Sequence, residues 1–483
     1  MRDQTTTVAL TGNTYIAQSI QRLSEPRFAQ TVEFLRSADV TLTNLECTLP
    51  DPGTPPAFVA GHGWAATYMA GSAAMLDDLR FMGIDGVCAA NNHVSDFGDA
   101  GVLSTIRTLR ERRMPFTGIG PSLTEATQAA YIDAPSGLRI AFIAACDWGP
   151  RGAQGLNFPW PMGVIASDER PPFTSRPGTN LLRYDVVSHV TRDQLEHLRR
   201  MSVQLGWEQD KIYRRNGFWR SHPLVGAHTN MDVEVDGEDE VWFLGRKFVA
   251  SATPGKQDTV ACAADLDRLT TAIGEARRQA DVVLVALHDQ SHGENGLHTY
   301  VADFAHRAID AGADVFFNNG GSFGGVEIHK GKPILHGLPS LFLQTEAVLA
   351  IPASELERYG MSPDATPADF LDLRARRARQ AFTEGGPLGE LLQGAGGSAV
   401  HVCVFDEHAE LTEIRVQPLE PFGGTQFSTD ESVRVPRFRR QLPLMVERDS
   451  PAEQRILDHA RKSSEALGTN VEVRDGQVVV TLR

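Results

Sequence analysis

A chain of 483 residues is too long for one compact hydrophobic core, so two structural regions or one domain with large insertions are expected. Hydrophobic residues make up 41% and charged residues 22%, the balance of an ordinary globular protein, and no apolar run approaches the roughly 20 residues of a membrane span. The formal charge of −15, from 46 Lys and Arg against 61 Asp and Glu, repels phosphate backbones and anionic bilayers and sets nucleic acid and membrane aside as partners.

The first strand is expected within the first ten residues with no leader of the signal-peptide kind before it, so the chain reads as cytoplasmic. Residues 5–147 alternate short β-branched runs with amphipathic helices. Strands are expected at Thr6–Leu10, Val40–Thr43, Gly86–Ala89 and Arg139–Ala145, and helices near Pro26–Ser37, Ala73–Met82 and Ala100–Arg113. That alternation predicts an α/β layered domain with its chemistry in loops after strand ends, where Asn13, Glu46 and His93 fall. From Trp148 to about Lys256 the rhythm breaks into Pro-rich loops, a long polar helix near Arg192–Arg215 and a hairpin pairing Val233–Val235 with Val241–Leu244. Five of the six tryptophans lie there (Trp148, Trp160, Trp207, Trp219, Trp242), which suits either a cap over a substrate pocket or a small satellite core.

The α/β pattern returns with a helix near Ala263–Gln279, the strand Val282–Leu287, a helix near Tyr300–Ala311 and the strand Asp314–Phe317. The chain closes with paired strands Ala399–Phe405 and Leu411–Pro418, a helix near Ala452–Leu467 and the hairpin Val471–Leu482. Cys47, Cys88, Cys146, Cys262 and Cys403 contain no Cys-x-x-Cys pair and read as buried free thiols of a reducing compartment.

Five segments, taken together and in order, carry a resemblance to a known family. They are Val8-Ala9-Leu10-Thr11-Gly12-Asn13; Ala38-Asp39-Val40 through Asn44-Leu45-Glu46; Ala90-Asn91-Asn92-His93 with Asp96-Phe97-Gly98 and Gly101; Val283 to His288; and Ala311-Gly312-Ala313-Asp314 with Gly325 to Ile328 and Gly331 to Ile334. The chain resembles the CapA family, named for capsule and poly-γ-glutamate synthesis. The resemblance implies an α/β, four-layer α/β/β/α sandwich of the metallophosphatase-like (calcineurin-like) kind with an inserted cap. In that frame residues 1–147 form the first half of the core, 148–259 the aromatic-rich cap, 260–420 the second half and 421–483 a C-terminal extension. It further implies a hydrolase acting on an amide, an ester or, by fold analogy alone, a phosphoester of a small anionic, glutamate-like substrate.

The resemblance places Glu46 as a bridging metal ligand, Asn92 and His288 as further ligands, and His93 as an acid or base beside the leaving group. Three departures matter: Gly12-Asn13 stands where relatives carry Gly-Asp, Asn318-Asn319-Gly320-Gly321-Ser322 where they carry Gly-His-Gly-Pro-His or a close variant, and His288-Asp289-Gln290-Ser291 where they often read His-x-His-Glu. A neutral amide at Asn13 and a hydroxyl at Ser322 are poor ligands for a second dication, so one divalent metal (Zn, Mn or Fe) is expected rather than two. His292, Glu294 or His62 is available to complete its shell. The alternative is a metal-free site that binds a ligand or uses acid/base chemistry through His93, His288 and His292, with Asn13 beside them.

Asn319 and Ser322 on the replaced loop, together with Arg176 and Arg183, are candidate substrate contacts, the arginines by pairing with a carboxylate or phosphate. Gly320-Gly321-Ser322-Phe323-Gly324 also fits G-x-S-x-G. A nucleophile elbow opens a helix, however, and the residues from Gly325 to Ile334 read as a hairpin. Asn91 to Asp96 has a plainer reading as a capping turn for the next helix, with Asp96 as acceptor.

Overall fold

The computed structural model describes residues 5–57, 68–150, 166–215, 235–243, 246–289, 298–320, 323–345, 348, 350–373, 376, 397–421 and 442–482. Among them the strands form two ten-stranded mixed sheets and one two-stranded pair. The first sheet runs Glu472–Arg474, Gln477–Thr481, Leu411–Pro421, Ser398–Phe405, Thr6–Tyr15, Val40–Leu45, Gly86–Cys88, Phe116–Thr117. The second runs Glu240–Phe243, Arg246–Ala250, Leu181–Val190, Arg139–Pro150, Val282–His288, Val315–Asn319, Lys332–Leu338, Val326–His329.

Both sheets have a parallel centre, which requires helical crossovers and buries the strands on two faces. The strand Val282–His288 shows why its sequence is an unbroken apolar run. Val282, Leu284 and Ala286 pack between the sheets with Leu10, Leu42 and Phe142. Val283, Val285 and Leu287 face outward onto Leu269 and Ile273 of the helix Ala263–Arg277 and Phe304 of the helix Thr299–Asp310. On the first sheet, Leu35, Leu79 and Leu109 come from the helices Pro26–Arg36, Met75–Met82 and Gly98–Glu111. The four expected layers, helix, sheet, sheet, helix, are therefore present.

The helix starts follow local chemistry. Pro26 and Pro451 each stand in the first turn, where a missing N–H costs nothing, and the Ser450 hydroxyl accepts from Glu453 N. All five cysteines are buried free thiols. No described helix is long and apolar enough to cross a membrane.

One expectation for the middle of the chain needs correction. The long polar helix is two, Arg192–Gln204 and Trp207–Arg215, because Gly206 takes φ +79° between them. The expected hairpin of Val233–Val235 with Val241–Leu244 falls in part outside the described residues. Glu240–Phe243 pairs antiparallel with Arg246–Ala250, which then joins Leu181–Val190 in parallel, while residues 233 and 234 lie outside the described residues. Leu181–Val190, Arg246–Ala250 and Gln257–Ala261 thus extend the second sheet. Trp207 meets Phe243 edge-on at 4.6 Å, a small aromatic cluster of its own beside buried Trp242. Trp160 and Trp219 lie outside the described residues.

Candidate functional site

The parallel strands of both sheets deliver their C-terminal ends to one place. Between Leu10 and Asn13 the pairing with Val40–Leu45 shifts register, so one extra residue is accommodated at Thr11–Gly12. A Cβ on Gly12 would stand 2.4 Å from Pro339 O and 2.5 Å from Leu338 O, so at this bulge the first sheet touches the end of a second-sheet strand. Asn13, Glu46, Asn92, His93, His288 and Asn319 are all buried there.

Asn44 is the hub. Its side-chain Nδ2 lies 2.9 Å from Asn13 Oδ1, 3.0 Å from Glu46 Oε2 and 3.4 Å from His288 Nδ1. Its Oδ1 faces Asn91 Nδ2 at 3.5 Å, and Asn91 in turn donates to Leu45 O at 2.7 Å and accepts from His93 N at 3.0 Å. His288 Nδ1 is 2.7 Å from Asn319 Oδ1, and its Nε2 is 2.9 Å from Asn92 Oδ1. The loop tips carrying Glu46, Asn92 and His288 therefore meet, with Glu46 one amide away from the imidazole.

Proton bookkeeping assigns the tautomer. Burial, with the nearby His93 charge adding to it, holds His288 down to about 4, against the Asn319 bond, so its ring is neutral at pH 7 and carries one N–H. The amide of Asn44 has two N–H groups, matched by its two shortest acceptors, Asn13 and Glu46. The His288 proton then belongs on Nδ1, donated to Asn319 Oδ1, and Nε2 presents its lone pair toward Asn92 Oδ1. His288 Nε2 and Asn92 Oδ1, 2.9 Å apart, are spaced as neighbouring ligands of one cation are, about 3 Å apart when each bond is near 2.1 Å. A ring N–H held by a carbonyl is also the usual support of a metal-bound histidine.

Burial pushes the Glu46 carboxyl up to about 7, with the His93 charge and the Asn44 hydrogen bond opposing the rise, so a nearby cation would relieve a real desolvation cost. The candidate set for one divalent ion is Glu46, Asn92 and His288, in which His288 Nε2 and Asn92 Oδ1 face each other and Glu46 lies on the Asn44 side of the ring. Among the described residues no three His, Cys, Asp or Glu side chains are grouped to hold a metal, so the set depends on the Asn92 amide oxygen. His292, Ser322, His62 and Glu294 lie outside the described residues.

His93 Nδ1 is 2.8 Å from Asp96 Oδ2, which also accepts from Met69 N at 2.7 Å. Asp96 is therefore not the helix cap that sequence suggests. The helix Gly98–Glu111 starts from Phe97 with no side-chain cap, and the cap in this turn is Asn91, on the short 3₁₀ turn Asn92–Ser95. The Asp96 carboxylate orients the His93 ring with Nδ1 as donor and leaves Nε2 as its basic atom.

Two of the candidate contacts, Arg183 and Asn319, have partners within the protein. Arg183 gives its fork to Asp265, Nε to Oδ2 at 2.8 Å and Nη2 to Oδ1 at 3.0 Å. Asn319 is a ring support for His288 rather than an open substrate contact. Gly320 takes φ +98°. A Cβ there would lie 2.5 Å from Asp289 O and 3.0 Å from His288 Cε1, so its smallness admits the imidazole. Arg176 is exposed, and its charge moderates the rise that burial imposes on Asp99 at the start of the helix Gly98–Glu111. The residues after Phe323 form the expected antiparallel hairpin, Val326–His329 with Lys332–Leu338, and not the helix of a nucleophile elbow.

Sequence reading missed Asn44, although Asn44 and Glu46 at i and i+2 share a strand face. It also missed His401, opposite Leu10, whose ring meets Phe323 edge-on at 6.0 Å just beyond the replaced loop. Among the described residues its buried Nδ1 has no hydrogen-bond partner, and burial lowers it to about 4. An unfolded histidine near 6.5 binds protons that the folded one refuses. Stability is therefore whole above pH 6.5 and falls as the pH drops toward 4, by about 2 kcal/mol at pH 5 from this residue. His401→Leu is expected to be neutral or stabilising at pH 7 and to recover that loss at pH 5, read by urea unfolding at both pH values. An unchanged acid-side slope would remove His401 as its source.

Fold and site define a two-sheet α/β protein with a buried amide, imidazole and carboxylate centre at its strand ends. The chain belongs to the bacterial capsule synthesis protein PGA_cap family, which matches residues 7–342. The uncharacterized proteins y4sH and y4uA of Sinorhizobium fredii (strain NBRC 101917 / NGR234) are each 26% identical to it over 480 residues, 97% of this chain and 91% of theirs. A Staphylococcus aureus crystal structure described as a putative 5'-nucleotidase in complex with alpha-ketoglutarate aligns over 89% of this chain with 11% identity and a TM-score of 0.33. The chain spans 56% of that structure's length.

Proposed function

We propose that the protein is a hydrolase that cleaves an amide or ester bond of a small carboxylate-bearing, glutamate-like substrate, using one divalent metal ion. Membership of the capsule synthesis family supports the substrate class. The observation that carries the site is the facing pair His288 Nε2 and Asn92 Oδ1 at 2.9 Å, with Glu46 held nearby through Asn44. Glu46, Asn92 and His288 would hold the ion. When bound, it would polarise the scissile carbonyl and make water acidic enough to deprotonate near neutral pH.

The chain's own residues supply the remainder. Asn319 fixes the His288 tautomer, so the ring keeps a lone pair on Nε2 through turnover. Asp96 fixes His93 and stabilises its charged form, so His93 can deliver a proton from Nε2 to the departing amine or alkoxide and recover it from water. The weak second ligand set favours an uncharged carbonyl over a phosphoester, whose charge calls for more cationic neutralisation.

Metal analysis of protein purified without chelator, combined with assays on γ-glutamyl anilide, carboxylate ester and aryl phosphate substrates, tests this reading. Near-stoichiometric Zn, Mn or Fe is expected, with amide or ester turnover that disappears together with the metal in Glu46→Ala. Metal below about a tenth of an ion per chain after repletion, with turnover retained, favours the acid/base alternative through His93 and His288.

A further inference from the structure

We infer that the Asn44 side-chain amide is the built-in occupant of a second cation position, so that this centre accepts one divalent ion and excludes another. The inference rests on the one-ion reading above. Asn44 Nδ2 stands between two acceptors, Asn13 Oδ1 at 2.9 Å and Glu46 Oε2 at 3.0 Å, with the protonated Nδ1 edge of His288 beside it at 3.4 Å. Convergence of an amide oxygen and a carboxylate oxygen on one buried point is an arrangement a cation would gather. Here the partial positive charge of an NH2 group stands at that point.

The hydrogen bonds make the substitution specific. Each Asn44 N–H has one short acceptor, so Asn13 directs its oxygen at Asn44, and one oxygen of Glu46 is already engaged. His288 turns its Nδ1 proton to Asn319 Oδ1, so the edge nearest Asn44 offers no lone pair to a second ion. A dication entering there would have to expel the amide, strip both bonds and meet a neutral Asn13. The amide is also held in place at its other end. Asn44 Oδ1 faces Asn91 Nδ2, and Asn91 is fixed by Leu45 O and His93 N, so the amide cannot turn its oxygen inward without breaking that chain.

Asn44→Asp, nearly isosteric, replaces the donor by a carboxylate and turns the blocked position into one with two acidic ligands, the introduced carboxylate and Glu46. Asn13→Asp with Asn44→Ser is a second route that vacates the point and adds charge from the other side. Bound Zn2+ and Mn2+ per folded chain are measured by equilibrium dialysis and elemental analysis for the unmodified protein and both variants. One ion in the unmodified protein and two in either variant is the expected result. One ion throughout overturns the inference and leaves the one-ion reading standing, whereas two ions in the unmodified protein overturn both. No ion in the unmodified protein but one in a variant keeps the inference and defeats the one-ion reading. No ion in any of the three defeats both.

Discussion

Replacing His288 by alanine is expected to strip the protein of bound divalent metal and to lower turnover by at least about 100-fold, the upper end of what losing a mere supporting partner costs. The residue joins three loops: Nε2 faces Asn92, Nδ1 donates to Asn319 and the same edge borders Asn44. Its removal leaves the Asn319 oxygen without its donor in a buried site, which costs about 1–3 kcal/mol in stability as well. The milder Asn319→Ala keeps Nε2 but loosens the ring and the tautomer, so metal affinity should fall by about 10–100-fold with less effect on the fold. Metal content by elemental analysis and turnover at saturating substrate check both. A His288→Ala protein that retains its metal and loses less than about 10-fold in turnover would show that the chemistry lies elsewhere.

The second large effect is structural. Gly12→Ala is expected to destabilise the protein by about 3 kcal/mol or more, read as a lower urea midpoint at constant slope. The added methyl would fall 2.4 Å from Pro339 O and 2.5 Å from Leu338 O, and both obstacles are backbone atoms that no rotamer change can move. Relief requires the bulge at Gly12 or the end of the strand Lys332–Leu338 to retreat, and that separates the sheets where Asn13 meets Asn44. Turnover should drop with stability. An unchanged midpoint would mean that the sheets are not in contact at this bulge.

The parallel centre of each sheet was legible in the chain because its apolar runs admit few other structures. Val282–His288 is buried at every position, and only a strand covered on both faces needs such a run. The half-exposed middle of the chain was harder. Glu240–Phe243 pairs forward with Arg246–Ala250 because strand pairing depends on which neighbour completes the edge of the second sheet, and local pattern does not encode that choice. Of the candidate site, Glu46, Asn92, His93 and His288 could be chosen from their order along the chain, and the structure does bring them together. The pairing of Arg183 with Asp265 was not legible, because Asp265 lies on a helix far along the sequence.

What the sequence by itself determined is the family, the layered parallel core and the residue types available at the strand ends, since these follow from apolar periodicity and short motifs with fixed order. What only the tertiary structure decided is how protons are shared within the centre: Asn44 donating to Asn13 and Glu46, Asn319 holding the His288 ring, Asp96 turned to His93. The physical reason is that hydrogen-bond partnership is fixed by atoms about 3 Å apart in space, and Asn44 and His288, which meet here, stand 244 residues apart in the chain.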